Sequence, residues 1–449
     1  MLSVLSSIFW GLMTLSVLVF VHEGGHFLAA RACGVRVTEF FLGLPCRFRL
    51  ERRSRACGTV FGVTPLLLGG YAAIAGMDPE TSPHAASVLG HIHRRGTADV
   101  DEIADELGLD PADVLDACGE LLAMGSIVGA GSDQVPLDSA YMPMRYAAAP
   151  RDRSGNTVLD GRAFAREEAT AEGEPWDSAL TDEQFLALER SRTYQGVGFT
   201  KRALMLLAGI AVNVFCGMLL LMSVYSVVGV QAVSDVNVLG SVEEGSPAWN
   251  AGLRPGDKIL AIDGSVTETW SDMLDAISRS KPGGDIDFTY DRSGARETVG
   301  VRPGDDGMVG VGATLTTVRL DPGESLRVSW AYVVQTVQGV LRLLQPAHTM
   351  EVLDSSTSVV GISVMSAQAA AAGPAAYLSF AGLISLSLGF MNLLPIPPLD
   401  GGKLVIEVVQ AVLRRPVPVR IQNLVSYLGI ALFGLMFVYM LRADILRLL

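Results

Sequence analysis

Residues 20–34 read FVHEGGHFLAARACG. This stretch decides the fold, because His22, Glu23 and His26 follow directly on an apolar run. Residues 1–21 contain no Asp, Glu, Lys, Arg or His, and about 20 apolar helical residues cross a bilayer. The run lacks a basic start and a small-residue cleavage motif, so it reads as a retained transmembrane helix rather than a signal peptide. On that helix His22 and His26 lie one turn apart on one face. Two imidazoles at that spacing grip one Zn²⁺, with Glu23 beside them as general base toward a zinc-activated water. Ionisable groups inside a span are rare and functional by default.

The rest of the chain agrees with a membrane setting. Its 449 residues are 49% apolar and only 18% charged, with mean hydropathy +0.37. Three further uncharged runs cover 203–234, 355–399 and 421–441. The 355–399 run exceeds one helix, so its GISVMSAQAAAAGPAA half is expected to pack as a separate segment. The fold class is therefore a polytopic α-helical membrane protein with four transmembrane helices. Basic residues set its orientation. Arg31, Arg36, Arg47, Arg49, Arg52, Arg53 and Arg55, then Lys201 and Arg202, then Arg414, Arg415 and Arg420 all fall on one side, which is cytoplasmic. The amino terminus is then outside, and Arg442 and Arg447 alone oppose the pattern. The net charge of −13 gives no basic patch for nucleic acid. Cys33, Cys46, Cys57, Cys118 and Cys216 form no Cys-x-x-Cys pair and read as free thiols.

Catalytic zinc takes three protein ligands plus water. The third is sought in MNLLPIPPLDGGKL, residues 391–404, where an acid, Asp400, ends a long apolar run. Pro395, Pro397 and Pro398 break any helix there, and irregular backbone at membrane depth is tolerated where it lines a cavity. An unwound segment carrying Asp400 toward His22 and His26 meets both conditions. Asn392 offers an amide for the substrate or its oxyanion. The plainer alternative is a Pro-rich turn with Asp400 as a helix cap.

HEGGH at the end of the first span, with NLLPIPPLDGG in a late one, resembles the site-2 protease family of intramembrane zinc metalloproteases. The bacterial branch with four spans and an external PDZ module is the nearest likeness, and it covers most of the chain except 78–200. The resemblance implies zinc on His22, His26 and Asp400, with Glu23 as catalytic base and Asn392 assisting. VTEFFLGLPCRFRLERRSRACGTVFGVTPLLLGGYAAIAGM, residues 37–77, resembles the family's membrane re-entrant β-hairpin. That element ends at Gly69 and Gly70, which are candidate substrate-binding positions. Here Gly43-Leu44-Pro45 stands where the family shows Gly-x-Gly. Ala208–Asn213, AGIAVN, resembles a further family element but carries Ile210 in place of its proline.

Between the spans lie soluble parts. SVEEGSPAWNAGLRPGDKILAIDGSVTETWSDMLDAI, within 231–312, resembles one PDZ domain, which receives an extended peptide or carboxyl terminus by strand addition. Residues 324–346 have the apolar spacing of an amphipathic surface helix. The insert 78–200 is winged-helix-like at about 97–130. From Thr97 to Gly125 it carries Asp99, Asp101, Glu102, Asp105, Glu106, Asp110, Asp113, Asp116 and Glu120 with no Lys or Arg. A phosphate-facing helix would be basic, so the insert is expected to bind a protein and not nucleic acid. Residues 132–195 read as a partly ordered linker, with His84, His91 and His93 in a loop.

The domain reading follows. Residues 1–34 form the first span and 35–77 the re-entrant hairpin. The cytoplasmic insert is 78–200, the second span 201–230 and the external PDZ domain 231–312. A linker with the amphipathic helix covers 313–356, the third transmembrane region 357–416 and the fourth span 417–449. The function expected is a zinc endopeptidase of the plasma membrane acting on peptide bonds in or near transmembrane segments. Its substrates would be single-span membrane proteins, and the family suggests anti-sigma factors or remnant signal peptides. The rival readings are an inactive metal-binding scaffold or sensor, and a zinc transporter. Intact Glu23 speaks against the first, and the lack of repeated intramembrane ligand pairs against the second.

Overall fold

The computed structural model describes residues 2–77, 81–130, 142–280, 284–304 and 307–448. It divides into two compact units, one of residues 1–221 and 326–449, the other of 222–325. Among the described residues four helices are long and apolar enough to cross a membrane: Val4–Ala32, Phe199–Val228, Pro374–Asn392 and Val419–Leu446.

In the larger unit, helix α1 (Leu2–Ala32) leads into strands β1 (Val37–Leu42), β2 (Leu50–Arg53), β3 (Val60–Val63) and β4 (Gly70–Ile74). These form one sheet in the order β2-β3-β1-β4, with β1 parallel to β3 and antiparallel to β4. Residues 37–74 are thus a four-stranded sheet rather than a lone hairpin. The hairpin is β2–β3, and the returning chain adds β4 on the far side of β1. Ser16 Oγ of α1 donates to Leu67 O over 2.6 Å, fastening the β3–β4 turn beside the middle of the span.

The insert is a folded module. Helix α2 (Ala85–Arg95), strand β5 (Thr97–Asp99), helices α3 (Val100–Leu107) and α4 (Pro111–Ala123), and strands β6 (Ile127–Gly129) and β7 (Arg145–Ala148) follow in turn. The sheet order is β5-β7-β6. Asp110 caps α4 by accepting from Ala112 N at 2.8 Å, with Pro111 in the first turn. Val88, Leu89, Ile92, Ile103, Val114, Leu121 and Ile127 fill its core. Two sequence expectations fail here. His91 and His93 lie on α2, not in a loop, and His93 is buried. The linker expected over 132–195 is packed structure wherever it is described, from residue 142 onward, while 132–141 lies outside the described residues. It includes α5 (Asp182–Ser191), whose Glu189 is fully buried.

Buried charge, beside the apolar packing of Tyr194 on Val37 and Ile74, joins this segment to the sheet. Arg36 donates to Asp160 Oδ1 and Glu189 Oε2, each at 2.7 Å, and Arg151 donates to Glu189 Oε1 at 2.7 Å. Ser126 Oγ donates to Glu189 Oε2 at 2.5 Å. Burial alone would raise the Glu189 carboxyl, but Arg151 and Arg36 hold it well below the usual carboxylate range. The buried positions of 142–195 mix apolar residues such as Tyr146, Phe185 and Leu186 with the charged Arg151, Asp152 and Glu189, so no single apolar period marks them.

Helix α6 (Phe199–Ser223) carries the chain back through the second span, which continues as one wide turn to Val228. The smaller unit then holds β8 (Val230–Val233), β9 (Leu239–Val242), α7 (Pro247–Asn250), β10 (Lys258–Ile262), β11 (Ser265–Val266), α8 (Trp270–Arg279), β12 (Ile286–Arg292), β13 (Ala295–Val301), β14 (Val311–Ala313) and β15 (Leu315–Val318). Its main sheet runs β11-β10-β12-β13, with β9 paired to β14 and β8 to β15. Leu253, Ile259, Ile262, Met273, Phe288 and Val301 form its core.

After α9 (Pro322–Leu343) and α10 (Thr349–Ser355), the Ala-rich segment forms its own helix, α11 (Val359–Ala372), against α1. Helix α12 (Pro374–Asn392) is the third span, α13 (Asp400–Leu413) begins at the expected acid, and α14 (Val419–Leu448) closes the chain. Small and hydroxylated residues seat these helices, as suits packing in lipid. Thr14 Oγ1 lies 2.7 Å from Ser366 Oγ and 2.9 Å from the Tyr377 hydroxyl, and a side chain on Gly217 would fall 2.8 Å from Gly382 O.

Candidate metal centre

Helices α1, α6 and α13 build the site. His22 and His26 project from the last third of α1, and Asp400 is the first residue of α13. Leu393 to Leu399 link α12 to α13 and fold back over the start of α13. A side chain on Gly401 would fall 2.5 Å from Leu394 O, and one on Gly402 2.5 Å from the Pro397 ring. Asp400 is therefore followed by two glycines because the preceding turn lies directly on them.

Asp400 Oδ2 lies 3.0 Å from Nε2 of His22 and 3.0 Å from Nε2 of His26, and the two Nε2 atoms are 3.2 Å apart. All three residues are at most 9% exposed. Among the described residues no other set of three His, Cys, Asp or Glu converges so closely. Glu23 stands within electrostatic reach of all three and of Lys403.

The far side of each ring fixes its protons. Met205 O of α6 lies 2.8 Å from His26 Nδ1, so that nitrogen carries the hydrogen and Nε2 presents a lone pair. His22 Nδ1 faces Asn213 Nδ2 at 3.3 Å, while Asn213 Oδ1 is buried with no partner. Turning the amide over lets Oδ1 accept from His22 Nδ1, which satisfies the orphan and gives His22 the same tautomer. Two lone pairs and a carboxylate oxygen then point at one space, a repulsive set without a cation between them. Their 3.0–3.2 Å separations are near the edge of about 3.3 Å expected for a tetrahedron with zinc–nitrogen bonds of about 2.0–2.1 Å. The residues fit Zn²⁺.

Glycines admit the rings. A Cβ on Gly209 of α6 would sit 2.9 Å from His22 Cε1 and closer still to His26. The Gly24-Gly25 pair separates into two roles. A Cβ on Gly25 would fall 2.6 Å from Ala208 O, so α6 passes directly over it, whereas one on Gly24 meets only the edge of Phe40, at 3.8 Å.

The other expected residues lie elsewhere. Gly69 and Gly70 abut Val19 and Phe20 of α1, just before His22. Asn392 Nδ2 donates to Leu388 O of its own helix at 3.0 Å. Asn213, Gly209 and the Met205 carbonyl carry the support that sequence reading did not assign, although Gly209 and Asn213 stand inside the AGIAVN stretch it singled out.

Peptidase family M50 matches residues 10–436. A putative zinc metalloprotease of Lactococcus lactis is 27% identical over 96% of both chains. The zinc metalloprotease RasP of Geobacillus kaustophilus is 27% identical over 99% of both. A putative zinc metalloprotease of Neisseria meningitidis is 29% identical over 96% of this chain and 97% of its own. The match includes His22, His26 and Asp400 and reaches into all four apolar helices, and the chain belongs to peptidase family M50.

Proposed function

We propose that this multi-pass membrane protein is a zinc endopeptidase that cleaves other membrane proteins in or near their transmembrane segments, with His22, His26 and Asp400 as the ligands and Glu23 as general base. The zinc metalloprotease activity rests on the family and on the names of its relatives. The observation that carries the residue roles is the buried convergence of the two histidines with Asp400 beside Glu23.

Bound there, zinc supplies a Lewis acid that ionises water near neutral pH and polarises the scissile carbonyl. The chain's own residues do the rest. Met205 O and Asn213 hold both imidazoles with Nε2 free. Glu23 takes the proton of the attacking water and passes it to the leaving amine. Asn392 keeps a second amide hydrogen beyond the one given to Leu388, which a substrate oxyanion could take only if the segment after α12 brings it to the site.

The sheet supports a route for substrate. Leu44, Phe48, Leu50, Leu66 and Leu68 are exposed, and the Ser16–Leu67 bond sets that end beside mid-span, which suits a re-entrant element. β4 is an edge strand, and its Gly70 lies against Phe20. A substrate strand added there would run toward His22 and would lose its helical hydrogen bonds to do so. Residues 231–312 serve as a PDZ domain outside the membrane, and the acidic insert recruits a protein on the cytoplasmic side. An inactive scaffold would have no use for Glu23.

Metal analysis of the detergent-purified protein tests the ligand set. One zinc per chain is expected, lost in His22→Ala and Asp400→Ala. Full zinc in Asp400→Ala would exclude Asp400 as a ligand.

A further inference from the structure

Two helices besides α1 complete the metal centre, and a single ion pair joins them. Helix α6 brings Met205 O, Gly209 and Asn213 to the histidine rings, and α13 brings Asp400. Arg202 lies one turn before Met205 on α6. Glu407 lies two turns after Asp400 on α13, a separation that returns to the same face. Arg202 Nε and Glu407 Oε2 are 3.3 Å apart, and Glu407 is only 7% exposed. The Tyr194 hydroxyl, on the segment entering α6, also hydrogen-bonds Glu407. Among the described residues this is the one ion pair between α6 and α13.

We propose that Arg202 and Glu407 are positioning residues for zinc, fixing the rise and rotation of α13 against α6 so that Asp400 Oδ2 meets both Nε2 atoms. The inference rests on the ligand assignment above. Asp400 needs such a brace. It is the first residue of its helix, after a Pro-rich turn, and its own turn supplies no side-chain cap. A carboxylate nine-tenths buried is held where a guanidinium meets it, and removing Arg202 leaves that charge without its cation, with only the Tyr194 hydroxyl beside it. About two turns, or roughly 10 Å of helix, separate Glu407 from Asp400, so a small tilt of α13 at the pair becomes a displacement of the ligand oxygen comparable to the tolerance of a zinc site.

The test uses the full chain in detergent and measures zinc affinity by competition with a chromophoric chelator, together with the visible spectrum of the Co²⁺-substituted protein. Glu407→Gln and Arg202→Met should each weaken zinc at least about tenfold, in the range found for residues that orient metal ligands, and should weaken or shift the tetrahedral Co²⁺ bands. The exchange Arg202→Glu with Glu407→Arg should recover most of the affinity. If the single variants do not fold, Arg202→Lys keeps the charge and shortens the reach. It should fold and show an intermediate affinity. Unchanged affinity and Co²⁺ bands in whichever single variants fold would overturn the proposal, as would a folded exchange variant that binds as weakly as the single ones. A wild-type protein that takes up no zinc would instead contradict the ligand assignment, so the two failures are distinct.

Discussion

Gly24 and Gly25 are neighbours in one helix, yet adding a methyl group should have opposite effects at the two. In each case the helix gains about 1 kcal/mol, because Gly is that much poorer than Ala in a helix interior. At Gly24 the methyl carbon meets only Phe40 Cζ, 3.8 Å away, an ordinary contact. Gly24→Ala should therefore raise stability by about 1 kcal/mol. At Gly25 it would sit 2.6 Å from Ala208 O and 2.8 Å from Gly209 Cα. Restoring a carbon–oxygen contact of about 3.4 Å moves α6 away by about 0.8 Å. Overpacking of this kind costs about 1–3 kcal/mol, so the net effect of Gly25→Ala runs from about zero to about 2 kcal/mol of destabilisation. The site feels it more sharply. The 2.8 Å bond from His26 to Met205 O would stretch beyond the usual limit of about 3.2 Å. Loss of such a partner lowers metal affinity about 10–100-fold. Thermal unfolding of the metal-free protein and zinc titration measure the two effects separately. Wild-type zinc affinity in Gly25→Ala, or greater harm from Gly24→Ala, would mean that α6 does not pass closely over Gly25.

Three more outcomes follow from named contacts. Asn213→Leu removes the acceptor for His22 Nδ1 and should lower zinc affinity about 10–100-fold, with Asn213→Asp, which keeps an acceptor, closer to wild type in the same titration. Glu189→Gln leaves Arg36 and Arg151 buried beside a neutral amide and should cost about 3–5 kcal/mol in thermal unfolding. Because the folded carboxyl lies below its unfolded value, its contribution is present above about pH 4.3 and is lost as pH falls through the folded value. His93 acts over a higher pH range. Burial first, then the Arg151 charge, pushes its imidazole down to about 3. The unfolded chain therefore binds a proton below about pH 6.5 that the folded one refuses, and stability should fall by about 1.4 kcal/mol per pH unit from there toward the folded value. His93→Gln should flatten that slope between pH 6 and 4.5 in pH-dependent melts, whatever its effect on stability at neutral pH.

The convergence of His22, His26 and Asp400 is legible because residues of these types are rare in apolar spans without purpose. His22, Glu23, His26 and Asp400 each interrupt or end an apolar run, and two of them have helical spacing. Their supports were not legible. Gly209 and Gly25 matter for what a Cβ would strike, which depends on how α6 crosses α1. Asn213 was noticed in AGIAVN, but its bond to His22 joins residues far apart in sequence. The insert misled for another reason. Arg36, Arg151, Asp160 and Glu189 look like solvated charges in sequence, yet they neutralise one another in the interior. His91 and His93 looked like loop residues because α2 buries imidazoles where a pattern search seeks aliphatic side chains. The placement of β4 beside β1, rather than at a hairpin's end, is set by the return path of the chain.

In the proposed mechanism His22, His26 and Asp400 bind zinc and Glu23 transfers the proton. The most direct test is one preparation of Glu23→Gln, assayed for zinc content and for cleavage of a single-span membrane substrate beside the wild-type protein. One zinc per chain is expected in both, with cleavage by the wild type alone. Cleavage by the zinc-loaded Glu23→Gln protein at the wild-type rate would contradict that mechanism.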